Sequence, residues 1–126
     1  MKSARSRRVA GRRRVHRMAY QPAKALEGAV IIRVFRPTIH PGKEGEFESF
    51  LRDTAGPLLA QQPGLVAQHV GRSRDPSSTE YVYVTIWEDV ESIRAFAGER
   101  WQEAVIAPGE EDLLKSTRIE HYDALQ

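Results

Sequence analysis

Cysteine is absent from this chain of 126 residues, which excludes disulfides, thiolate metal ligands and cysteine nucleophiles together. A chain that relies on none of these suits a reducing compartment, and cytoplasmic residence is the expectation. No apolar run approaches the roughly 20 residues that cross a bilayer as a helix, so no membrane association is expected. Neither HExxH nor HxH occurs, and no phosphate loop, Ser-His-Asp order or paired-carboxylate motif is visible. With only four histidines and no ligand spacing, neither a metal nor a cofactor is expected.

Acidic residues are missing from the first 17 positions, where Lys2, Arg5, Arg7, Arg8, Arg12, Arg13, Arg14 and Arg17 supply eight of the nineteen cations. From Met18 onward eleven cations face seventeen acids, so the formal charge of +2 conceals a folded part of about −6. The segment 1–28 reads as a basic extension and lead-in, and 29–126 as one domain. Three readings of the extension stand side by side. It is a nucleic-acid arm that gains affinity by counterion release, a targeting segment rich in arginine, or a solvated extension before Met18. It has no interleaved aromatics and no apolar export region, so the solvated extension is preferred, with nucleic-acid contact limited to non-specific attraction.

What is present in quantity is β-branched and aromatic residues in short alternating runs. Tyr81 to Trp87 alternates Tyr81, Tyr83, Thr85 and Trp87 with Val82, Val84 and Ile86, so both faces are apolar and the strand belongs in the middle of a sheet. Asp89 then caps a helix whose stripe is Val90, Ile93, Phe96 and Ala97. Upstream, Ala29 to Arg36 reads as a strand, and Pro37, Pro41 and Gly42 as marks of a turn. A helix carrying Phe47, Phe50, Leu51, Ala55, Leu58 and Leu59 follows and ends at Pro63 and Gly64. Pro57 inside it predicts a kink or break near Gly56. Leu65 to Arg72 is a strand in which Gly71 permits a bulge or close approach, and Arg74 to Thr79 is a hairpin loop. After Gly98, Glu99 to Ile106 reads as a short helical piece. Glu110, Glu111 and Asp112 read as a solvated helix start, and Lys115 to Asp123 as the last strand.

The order strand, helix, strand, strand, helix, strand predicts an α+β, ferredoxin-like split βαββαβ fold: a four-stranded antiparallel sheet with helices on one face. The other face, apolar at its central strand, calls for cover, and a homodimer formed through that face supplies it.

Four stretches carry a resemblance to a known family: PGKEGEF (Pro41 to Phe47), QPGLV (Gln62 to Val66), YVYVTIWEDVESIRAF (Tyr81 to Phe96) and RIEHY (Arg118 to Tyr122). From about Ala29 to Tyr122 the chain resembles the antibiotic biosynthesis monooxygenase family, whose subunits pair into a dimeric α+β barrel. The resemblance implies a cofactor-independent monooxygenase acting on an aromatic or quinol-like compound, or a non-enzymatic dimeric module of the same fold that binds a small apolar ligand. Some relatives degrade haem with an Asn, a Trp and a His at positions that fall here on Phe35, Phe96 and Val105. These side chains offer no iron ligand, so haem degradation is not expected.

Among candidate site residues, Arg33 is a guanidinium within an apolar strand. It serves either to hold an anionic oxygen or to pair with a neighbouring Glu or a partner subunit. Tyr83 and Trp87 complete the candidate catalytic set, with Phe35, Phe96, Trp101, His69 and His121 as candidate substrate contacts. For the tryptophans a place in the core competes with a cavity wall, and for the histidines a plain hydrogen-bonded or exposed role competes with ligand binding. Tyr81 and Tyr83 either donate to a substrate carbonyl or pair across a dimer.

Overall fold

The computed structural model describes residues 30–125. The basic extension 1–28 lies outside the described residues, and Val30 leads into the first strand. The elements run β1 (Ile31–Ile39), α1 (Glu44–Phe50), a π-helical turn (Leu51–Ala55), α2 (Gly56–Ala60), β2 (Leu65–Arg72), β3 (Tyr81–Trp87), α3 (Val90–Ala97), a 3₁₀ turn (Glu110–Asp112) and β4 (Leu114–Asp123). The sheet is antiparallel in the order β2-β3-β1-β4, the split βαββαβ arrangement expected from the strand and helix order.

Strand parity decides what each side chain meets. Ile31, Arg33 and Phe35 of β1 lie opposite Trp87, Thr85 and Tyr83 of β3, and on the other side opposite Asp123, His121 and Ile119 of β4. This set faces the helices, where Leu59 and Ile93 complete a core with Ile31, Tyr83 and Trp87. A second core cluster joins Ile39, Phe47, Tyr81 and Leu113, and Leu51 packs against both clusters. The opposite parity, Ile32, Val34, Val82, Val84 and Ile86, forms the open face.

Two local readings need correction, and a third takes one of its two expected forms. Strand β1 runs on through Pro37 to Ile39 instead of turning at Pro37. Proline is tolerated there because its β1–β3 ladder stops at Phe35 and Tyr83, while pairing with β4 continues through Thr117. The expected irregularity near Gly56 is present, as a widened turn and not as a break. The turn before Pro57 widens, with the Gly56 amide bonding to the Leu51 carbonyl, so the chain remains helical around the missing donor. The irregularity in β2 falls between Leu65 and Ala67 and not at Gly71.

Asp89 caps α3 as expected, accepting from the Ser92 amide at 2.8 Å. Gly64 sits against that cap at φ 89, where a Cβ would fall 2.1 Å from Ser92 Oγ. Only glycine fits there. At the other end of β2 and β3 Glu48 accepts from the Tyr81 hydroxyl at 2.5 Å and from Arg72 at 2.8 Å, tying α1 to both strands. Burial and that carboxylate push the Tyr81 phenol up to about 12. Tyr81 is thus held on the helix side of the sheet.

Candidate functional site

Between the helices and the sheet lies a cavity of about 100 Å³. Phe35, Phe50, Leu51, Ala55, Leu58, Leu59 and Phe96 give it a hydrocarbon wall, with Val105, Ala107 and Ile119 on the β4 side. Its polar groups are Arg33, Thr54, Tyr83, Thr85 and Glu110. Phe35, Phe96 and Val105, the three positions that correspond to the haem-degrading set, do converge on this one cavity. Their hydrocarbon side chains do not fit a haem iron. Among the described residues no group of three His, Asp or Glu is placed to hold a metal ion.

Arg33 projects from the middle of β1 and is 5% exposed. Its guanidinium donates to the Trp101 carbonyl at 2.5 Å and the Glu103 carbonyl at 3.1 Å, and it meets His121 Nε2 at 2.8 Å. This replaces the expected pairing with a strand glutamate. It also explains why Glu99 to Ile106 is not the expected helix. A helix would engage those carbonyls in its own i to i+4 bonds, whereas here they turn inward to satisfy a buried cation. The segment is bounded by Gly98 at φ 89 and Gly109 at φ 88, two positive-φ positions that favour glycine. Arg33 therefore holds residues 98–109 against the sheet. Burial lowers its pKa to about 10, which leaves it cationic at neutral pH.

His121 accepts from Arg33 and so is neutral, with its proton on Nδ1. Burial, and then the charge of Arg33, lower its pKa from the ordinary 6.5. A depressed histidine pKa means that the unfolded chain binds the proton more readily than the folded one. Its contribution to stability is complete above pH 6.5 and is lost as the pH falls through 6.5 toward the lower folded value. Melting temperature is expected to drop between pH 7 and pH 5 more steeply in the wild type than in His121→Gln, which keeps an acceptor for Arg33 and cannot titrate. Equal slopes would show that the folded state does not lower the pKa of His121.

The other candidate residues divide by position. Tyr83 lines the cavity, but its hydroxyl donates to Gln68 at 2.5 Å and burial raises its pKa, so it is committed to β2 and stays protonated. Trp87 does not reach the cavity. It is fully buried, stacked on Phe96 at 5.5 Å, with its indole NH donating to Thr85 at 2.8 Å. Trp101 contributes its carbonyl to Arg33 while its indole lies edge-on to His121 at 5.0 Å. His69 pairs with Val84 on the open face and is exposed, the thickness of the sheet away from the cavity. A one-residue difference in strand parity separates it from Gln68, which does face the helices.

Glu110 is the residue that sequence reasoning missed. It opens the 3₁₀ turn and is 5% exposed, not solvated. One carboxylate oxygen accepts from the Ala107 amide at 2.9 Å, which folds the side chain back under the turn and onto the cavity wall. Burial raises its pKa above the usual carboxylate value. The only signal in the sequence was its place three residues after Ala107, the spacing by which a glutamate reaches back to a turn's first amide.

The comparisons with known proteins agree with this architecture. Comparison with the curated proteins returns no match. Among solved structures, SnoaB, a cofactor-independent oxygenase from Streptomyces nogalater, is 29% identical with a TM-score of 0.61, over 78% of this chain and 95% of that one. An antibiotic biosynthesis monooxygenase structure from Caulobacter crescentus, at 21% identity and a TM-score of 0.66, covers 79% and 92%. A conserved protein from Methanosarcina mazei, at 19% and 0.61, covers 82% and 98%. These last two share the fold. The antibiotic biosynthesis monooxygenase profile matches residues 30–107, from β1 to the segment that Arg33 clasps. With that span and the split βαββαβ sheet, the chain belongs to the antibiotic biosynthesis monooxygenase family.

Proposed function

We propose that the protein is a cofactor-independent monooxygenase that oxidises an aromatic hydroxy compound, a hydroquinone or an anthrone, in the cavity between helices and sheet. The observation that carries this is a cationic guanidinium in the wall of a cavity lined mostly by phenylalanine and aliphatic side chains, with Thr54, Tyr83, Thr85 and Glu110 as its other polar groups. Water-poor surroundings magnify the attraction between Arg33 and an ionised substrate oxygen, and an ionised, electron-rich ring is the species that reacts with dioxygen. Nε of Arg33 is free of the bonds that hold the 98–109 segment. In the overall reaction one oxygen atom enters the ring or methylene carbon and the other leaves as water. All four electrons come from the substrate. The resemblance in sequence and fold to SnoaB supports the reading.

A cavity of about 100 Å³ is smaller than the roughly 150 Å³ that takes up benzene in a protein interior. A ring substrate enters as residues 98–109 swing on Gly98 and Gly109, and Arg33 re-forms its carbonyl bonds afterwards. The protein acts as a homodimer, with the apolar open face of one copy covering that of another. The test is oxygen uptake by chelator-treated protein with a panel of hydroquinones and anthrones. Saturable uptake supports the reading. Ligand-dependent melting shifts without any uptake would identify a binding module instead.

A further inference from the structure

Glu110 has no part in holding the fold's two core clusters, yet its carboxylate is more than nine-tenths buried and lies in the wall of the cavity. Carboxylates in such a setting ordinarily have a cationic partner. Here, among the described residues, the one hydrogen bond to the side chain is from the Ala107 amide to Oε1. Oε2 has no hydrogen-bond partner among the described residues. The family match ends at residue 107, three residues before Glu110.

We propose that Glu110 is the proton acceptor of the reaction, a catalytic residue that takes the proton from the hydroxyl, or the acidic methylene, of the bound aromatic substrate. This rests on the proposed monooxygenase reading and names its first step. The O–H or C–H bond breaks, the proton passes to Oε2 of Glu110, and the electron pair stays on the substrate as a phenolate or carbanion. Arg33 across the cavity stabilises that anion, and dioxygen then accepts its electrons. The bond from Ala107 holds Oε1 fixed, so the other oxygen is aimed without further ordering at the moment of transfer. The titratable and charged groups around it are Arg33 on β1, Tyr83 on β3 and the neighbouring Glu111. Tyr83 is tied to Gln68 and Arg33 is permanently charged, so neither competes as the base. A carboxyl whose pKa is raised by desolvation is a stronger base than an exposed one, in keeping with the role.

The experiment compares wild type, Glu110→Gln and Glu110→Asp in oxygen uptake with an anthrone across pH, alongside anthrone affinity and melting temperature. Glutamine keeps the acceptor for Ala107 and the volume of the side chain. It is expected to bind the anthrone within a few-fold of wild type and melt normally, while kcat falls about 100- to 1,000-fold. The acid limb of the pH profile, present in wild type, is expected to vanish in Gln and to move to a different pH in Asp, with partial activity. A Gln variant with the wild-type rate and pH profile would overturn the assignment and leave the monooxygenase reading intact. Wild-type protein that binds anthrones and consumes no oxygen would overturn both. Should Gln unfold the chain, the acid limb and kcat of the folded Asp variant decide, since a purely structural role leaves the limb where it is in wild type.

Discussion

Trp87→Ala is expected to destabilise the protein by about 3–5 kcal/mol, the range for removing a large aromatic side chain from a packed core. Trp87 is fully buried at the end of the central strand, lies opposite both Ile31 and Leu65, and stacks on Phe96 of α3. Its loss opens a void between sheet and helix that these neighbours, fixed on β1, β2 and α3, cannot close. It also strands the Thr85 hydroxyl that accepted the indole NH, in a residue 5% exposed. Domains of this size are stable by about 5–15 kcal/mol, so the variant is expected to sit near its unfolding midpoint at 37 °C. Trp87→Phe keeps most of the volume and is expected to cost markedly less. Chemical denaturation of the three proteins checks this. A loss below about 1 kcal/mol for alanine would place the core elsewhere.

Two neighbours on β3 are expected to respond in opposite ways to the same aspartate. Tyr83→Asp puts a charge into the helix-facing core, where the residue is 7% exposed, and is expected to prevent folding. Val84→Asp, one position on, lies on the open face between Val34 and His69. That variant is expected to fold and to remain a monomer, because the charge falls in the middle of the proposed twofold interface. The open face has an apolar centre of Ile32, Val34, Val82, Val84 and Ile86, edged by the Arg36–Glu120 ion pair at 3.1 Å. Light scattering should give twice the chain mass for wild type at micromolar concentration and the single mass for Val84→Asp. A monomeric wild type would contradict the proposed pairing.

The contrast between these two residues also shows what the sequence makes legible. Both faces of Tyr81 to Trp87 are apolar, so the alternation marks a central strand without saying which parity meets the helices. That is decided by β1, where Ile31 lies opposite Trp87, and the pairing depends on contacts between strands 56 residues apart in the chain. Strand and helix limits set by local chemistry were readable: Asp89 at the cap, Pro63 and Gly64 after the first helical stretch, the turn formers before β3. Arg33 stood out because a charge in an apolar strand must be satisfied. Besides the His121 ring its partners are main-chain carbonyls, which look the same in every sequence, so neither Trp101 nor Glu103 announced the contact. Glu110 was hidden for the opposite reason. It belongs to a run of three acids, and only tertiary packing separates the buried member from its exposed neighbours Glu111 and Asp112.

The most direct measurement is turnover of an anthrone under isotopically heavy dioxygen by protein freed of metal and flavin, with the product analysed by mass spectrometry. One heavy oxygen atom per product molecule, the second recovered in water, is the expected result for a monooxygenase that draws all its electrons from the substrate. Product without heavy oxygen, or no product above the rate of the anthrone alone in buffer, would contradict it.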